Sequence, residues 1–199
     1  MKKNILVLAL LSAIATPALA DNTGTFYGAF DVGQSKIKGA CNGLLAGWSC
    51  KDTASAIRIA AGYQITPVWG IEASYSEYGA AKFSGPLLTA TINSETKLNG
   101  FAIHAIGTLP VNDAFSLFGK LGIASTSAKA SGTSSNPAVV SIVSAETSNT
   151  NASFGIGAQY AITNKVALRA QYDDFGSVGN SNTGKSKVTL ISAGVVFWF

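Results

Sequence analysis

The chain has 199 residues with 14 basic and 10 acidic side chains, a net charge of +4 and only 12% charged residues, about half the share of roughly 25% usual in soluble domains. That length allows one domain. Lys2 and Lys3 supply two of the excess charges, so the basic balance of the remainder gives no ground for nucleic-acid binding, and a single histidine with two cysteines excludes a multi-ligand metal centre; no cofactor is expected.

The N-terminal segment reads as an export signal. Met1-Lys2-Lys3 is basic, Ile5–Ile14 is apolar but too short to span a bilayer, and Thr16-Pro17-Ala18-Leu19-Ala20 ends small-x-small. Cleavage is expected between Ala20 and Asp21, giving a signal peptide, 1–20, and one domain, 21–199. A membrane anchor is disfavoured because polar Asp21-Asn22 follow. In an exported chain Cys41 and Cys50, with eight residues between them, read as a disulfide closing a small loop.

From Phe26 onward the apolar residues recur at every second position. Phe26, Gly28, Phe30 and Val32 share one face of the first strand, against Tyr27, Ala29 and Asp31. Ile57, Ile59, Ala61 and Tyr63 oppose Arg58, Ala60 and Gly62. Val68, Ile71, Ala73 and Tyr75 oppose Glu72, Ser74 and Ser76, the pleat at Gly70 being open. Phe101, Ile103, Ala105 and Leu109 oppose Ala102 and His104. Phe115, Leu117, Leu121 and Ile123 oppose Phe118 and Lys120. Phe154, Ile156, Ala158 and Tyr160 oppose Gly155, Gly157 and Gln159. Val166, Leu168, Ala170 and Tyr172 oppose Arg169, Gln171 and Asp173. Ile191, Ala193, Val195, Phe197 and Phe199 oppose Ser192, Gly194 and Trp198.

One face of every strand is apolar with aromatics near its ends, and the other is small or polar. That is the pattern of a transmembrane barrel, with lipid on the first face and a lumen on the second. A β-sandwich also alternates, but its strands would need a large shared core rather than inner faces of Gly, Ala and Ser. Tight turns are expected at 65–67, 111–113 and 162–164, and long loops near 36–54, 78–95, 125–150 and 174–187. The third loop is Ser/Thr-rich, with an apolar insert, Ala138–Val143, read as a strand extension. The expectation is an all-β fold: an eight-stranded antiparallel up-and-down transmembrane β-barrel in a bacterial outer membrane, both termini periplasmic.

Gly62–Glu72 (GYQITPVWGIE), Phe154–Thr163 (FGIGAQYAIT) with Arg169-Ala170-Gln171-Tyr172, and the opening Phe26–Gly33 (FYGAFDVG) together resemble the OmpA transmembrane domain family. The likeness covers the strands and turns; the loops match nothing. Longer members of that family carry a peptidoglycan-binding domain after the barrel; with Phe199 ending the last strand, a bare barrel is expected here. The resemblance also implies an acid–base pair in the lumen, Glu72 with Arg169, and a basic lumen position at Lys120. The family's alternative acid and base for a swinging gate fall here on Gln159 and Ile106, which leaves a structural pair the stronger reading. Parity adds Asp31, Arg58 and Asp173 to the lumen, where charges must pair because eight strands leave little room.

No catalytic machinery is expected. His104 is the one base, and it precedes Ala105-Ile106, so the His-x-Ser element of the lipid A deacylases is missing. Asp173 and Asp174 point to opposite faces, with Asp174 at the rim of the last loop. The expected role is structural and surface-presenting. A narrow ion or solute pore is the first alternative, and an adhesin acting through its loops the second. Expected partners are outer-membrane lipid and lipopolysaccharide, the barrel assembly machinery through Phe197 and Phe199, and an external ligand of unknown identity at the loops. The protein is expected to be a monomer.

Overall fold

The computed structural model describes residues 22–43, 47–87, 90–136, 139–178 and 186–199; the expected signal segment and its Ala20–Asp21 cleavage site lie outside them. The strands are β1 (Thr25–Lys38), β2 (Ser49–Lys51), β3 (Thr53–Gln64), β4 (Trp69–Leu87), β5 (Ala90–Pro110), β6 (Phe115–Asn136), β7 (Val139–Ala161), β8 (Val166–Val178) and β9 (Ser186–Trp198). All pairings are antiparallel. The run β4-β3-β1-β9-β8-β7-β6-β5 is closed by β4 pairing with β5, and β2 adds to the wall beside β4. Closure leaves no free edge across the apolar band, as a bilayer requires.

The outward face carries the apolar residues. Phe30, Ile59, Ile71, Ile103, Leu121, Ile156, Leu168 and Ile191 are all exposed, and lipid is the only solvent that suits them. Exposed aromatics ring this band at two levels. Phe26, Trp69 and Tyr160 lie towards the tight turns, and Tyr75, Phe101 and Phe154 towards the long hairpins.

The three tight turns share one construction. Thr66 Oγ1 accepts from the amides of Val68 and Trp69 (3.3 and 2.9 Å). Asn112 Oδ1 accepts from those of Ala114 and Phe115 (3.0 and 2.8 Å). Thr163 Oγ1 accepts from those of Lys165 and Val166 (3.2 and 3.1 Å). Each side chain satisfies two amides that the reversal leaves without strand partners.

The opposite end differs from the sequence reading. Most of the loops expected at 78–95 and 125–150 is paired strand: β4 runs to Leu87 and β5 from Ala90, β6 to Asn136 and β7 from Val139. The strands are accordingly 12 to 23 residues long, β2 apart, rather than the ten expected from bilayer thickness. Both faces of a hairpin standing above the membrane meet water, so apolar alternation fades although the ladder continues. Within the expected first loop, β1 extends to Lys38 and β2 pairs with β4. The Cys41–Cys50 disulfide is present there, with Cα atoms 5.8 Å apart.

Candidate functional site

The lumen holds three layers. At mid-height three cations, Arg58, Lys120 and Arg169, and three carboxylates, Asp31, Glu72 and Asp173, are all buried. Arg58 touches every acid: Asp31 at 3.0 Å, Asp173 at 3.2 Å and Glu72 at 3.5 Å. Arg169 holds Glu72 at 2.6 Å and Asp31 at 2.9 Å. Lys120 holds Asp173 at 2.8 Å, lies 3.6 Å from Glu72 and donates to Gln171 Oε1 at 2.9 Å. Three cations face three carboxylates, so the formal charges cancel, which offsets the cost of burying them.

Strand register explains who meets whom. Asp31 and Arg58 are direct cross-strand partners. Four further contacts each reach across one whole strand, and in each of these the residue between is glycine. Asp31, Gly194 and Arg169 lie in one row, as do Lys120, Gly155 and Asp173. Tyr27, Gly62 and Glu72 form a third, in which the Tyr27 hydroxyl donates to Glu72 Oε2 at 3.2 Å. His104, Gly122 and Ser153 form a fourth, with His104 Nε2 2.8 Å from Ser153 Oγ. A Cβ on Gly62 would overlap the Tyr27 ring, and one on Gly155 would overlap Asp173 Oδ1 and come within 3.0 Å of Lys120 Cε. The missing side chain is the space through which the pair forms.

Towards the long hairpins the lumen is closed by an apolar layer drawn from seven of the eight barrel strands. Ile37, Tyr78, Leu98, Phe175, Val188 and Leu190 are its large members, with alanines filling between them. The Tyr78 and Phe175 rings pack 4.9 Å apart. Towards the tight turns, Tyr27, Ala29 and Val196 pack with Ala60 and Trp198.

The expected residues therefore fall as follows. Glu72, Arg169, Lys120, Arg58 and Asp31 meet in one network. Glu72 is not confined to Arg169, since all three cations lie within 3.6 Å of it. Gln159 stands across from Arg169 and Ile106 across from Lys120; neither brings a charge. Phe197 and Phe199 lie exposed beside β1, where the Phe199 amide donates to Phe26 O at 3.0 Å. Asp174, expected at a loop rim, is instead buried at a bulge between Asp174 and Ser177 and held by Lys187 at 2.6 Å. Sequence reading missed Tyr27, Gln171 and Ser153. The signal for Tyr27 and Ser153 was present in register: polar residues two strands apart with glycine between. His104 and Ser153 have the spacing of a base and nucleophile, but both sit about 1% exposed between the charged and apolar layers.

The comparisons with known proteins fit this closed eight-stranded wall. Residues 6–199 match the outer membrane protein beta-barrel domain. The chain belongs to that family. As a member of the outer membrane protein beta-barrel domain family it is an outer-membrane β-barrel protein. Its fold is similar to that of Ail, the attachment invasion locus protein of Yersinia pestis, at 19% identity over 89% of this chain and 99% of that one, with a TM-score of 0.57. OprG from Pseudomonas aeruginosa is 10% identical over 91% and 99%, TM-score 0.56. The N-terminal β-barrel domain of Pseudomonas aeruginosa OprF is 16% identical over 89% and 100%, TM-score 0.52. These likenesses concern the fold alone. Among curated proteins none matches the sequence.

Proposed function

We propose that the protein, freed of residues 1–20, is a plugged outer-membrane barrel with a structural and surface-presenting role. Its termini and tight turns would face the periplasm, and its long hairpins the outside. The observation that carries this reading is the lumen: a charge-balanced network lies between two layers of packed apolar side chains. Ions crossing such a path would lose hydration in passing the buried Tyr78 and Phe175 rings, at a cost of several kcal/mol. The test is single-channel conductance of refolded residues 21–199 in a planar bilayer, with folding checked by the mobility shift between heated and unheated samples. Silence from folded protein is the expected result; steady openings would favour a narrow pore and sink the plug.

Attachment through the outer hairpins is the second reading, favoured by their height. β6 and β7 pair as far as Asn136 and Val139, well beyond Phe154, where β7 leaves β8. Replacing residues 131–144 by an Asn-Gly turn should leave a folded barrel. Loss of cell attachment in that variant would favour adhesion over a purely structural role.

A further inference from the structure

Towards the long hairpins the wall stops being one sheet. Among the described residues β3 pairs with β4 only as far as Ile57–Glu77, and β7 with β8 only as far as Phe154–Asp174. The remaining ladders run on past that level. Two seams therefore divide the upper wall into β4-β5-β6-β7 and β8-β9-β1-β3. Each seam begins at a bulge, between Glu77 and Gly79 on β4 and between Asp174 and Ser177 on β8. A bulge ends pairing and re-aims a side chain. Here each turns a ring inward, Tyr78 on one half and Phe175 on the other, and each ring is followed by a glycine at positive φ, Gly79 at 72° and Gly176 at 77°. The two rings that meet at 4.9 Å thus belong to different halves of the wall.

The seams differ in what crosses them. At the β3/β4 seam a strap does. β2 lies between β1 and β3 in the chain yet pairs with β4, at Ser49–Ser84, Cys50–Phe83 and Lys51–Lys82. The Cys41–Cys50 disulfide ties it back to the turn after β1, and the Trp48 ring fills the space that a Cβ on Gly85 would need. Ser35 Oγ on β1 adds a hydrogen bond to Tyr78 O. At the β7/β8 seam no strand crosses among the described residues; Asn151 Nδ2 reaches over it to Ser177 O at 2.7 Å. Phe175 is meanwhile fixed to its own half. The Gly176 amide donates to Asp174 Oδ1 at 3.0 Å, and Lys187 on β9 holds Asp174 at 2.6 Å.

We propose that the apolar layer is a gate, hinged at the strapped β3/β4 seam and opening at the β7/β8 seam, with Asn151 as its latch. Opening carries Phe175 away from Tyr78 together with β8 and β9, and bares the buried polar side chains beneath, Ser74, His104 and Ser153, to the long-hairpin end. Tyr27 and Trp198 stay packed towards the tight turns. The movement therefore opens a chamber at one end and leaves the barrel closed at the other.

The test is thiol labelling from solution. Ser74→Cys puts a free thiol beneath the rings, at a site 2% exposed, in a chain whose own two cysteines are bonded to each other. Ala124→Cys, in the same row of the wall, is the second reporter should the first not refold. The disulfide-intact refolded barrel is labelled with a small methanethiosulfonate at rising urea. Labelling should proceed without urea and rise with a slope well below that of global unfolding followed by tryptophan emission, because only the seam opens. Asn151→Ala should speed it about three- to tenfold, as the loss of one hydrogen bond does. Ser35→Ala, at the strapped seam, should change it less than twofold. Labelling that follows the global slope would overturn the gate. Equal acceleration by both variants would do the same, since a general loss of stability gives that result. Conductance separates this idea from the plug. A silent Asn151→Ala barrel that labels quickly has a one-ended chamber, whereas steady openings from it would sink chamber and plug together. A silent barrel that labels only on unfolding sinks the gate alone.

Discussion

Among the buried residues Arg58 has the most at stake, because it alone contacts all three lumen carboxylates. Removing one partner of a buried pair leaves an uncompensated charge, at about 3–5 kcal/mol. Arg58→Met is therefore expected to destabilise by that amount, and by more than Arg169→Met, which abandons two acids. Urea unfolding of the refolded barrel, followed by tryptophan emission, measures the order; equal losses would mean that the network redistributes its contacts. The glycines give a second expectation. Gly62→Ala puts a methyl into the Tyr27 ring, an overpacking that costs about 1–3 kcal/mol, and trimming the ring in Gly62→Ala/Tyr27→Phe should not restore it, since the clash includes ring carbons. In the sequence the inward charges were legible from parity alone, Asp173 among them. Their partners were not, because contact across a strand depends on register, and register depends on where each hairpin reverses.

At the level of elements, the turns were legible and the hairpin tips were not. Ile65-Thr66, Val111-Asn112 and Ile162-Thr163 break the alternation at regular intervals, and each supplies an oxygen that ties two amides. Asn112→Ala should cost about 1 kcal/mol through those lost bonds, seen as an earlier urea midpoint with unchanged slope. Residues 91–97 and 129–135 looked like loop because Ser, Thr and Asn occupy both faces there. Period two is a signature of one wet face and one greasy face, and above the membrane both are wet. The ladder itself pairs Thr91–Asn99 with Ser127–Ser135. Amide hydrogen exchange on the refolded protein should therefore find these residues protected to a degree that loops are not; exchange as fast as an unstructured peptide would refute the extended hairpins.

For the whole molecule, the three lumen layers act in series, and a path conducts only if every layer is open. Taking charge from the network alone should therefore not make a pore. Arg169→Ala shortens one side chain at mid-height, while Tyr78 and Phe175 still close the barrel towards the long hairpins, and Tyr27 and Trp198 still pack towards the turns. The variant should be silent in a planar bilayer provided the heated and unheated mobilities differ as in wild type. Adding Tyr78→Ala and Phe175→Ala removes the two tilted, packed rings, and water can then follow the space that they and the guanidinium leave. Brief openings are expected from this triple variant and not from its parts. Openings from Arg169→Ala alone would show that the apolar layer yields whenever the charges beneath it are unbalanced. The network would then hold the gate as well as the fold, and the pore reading would displace the plug.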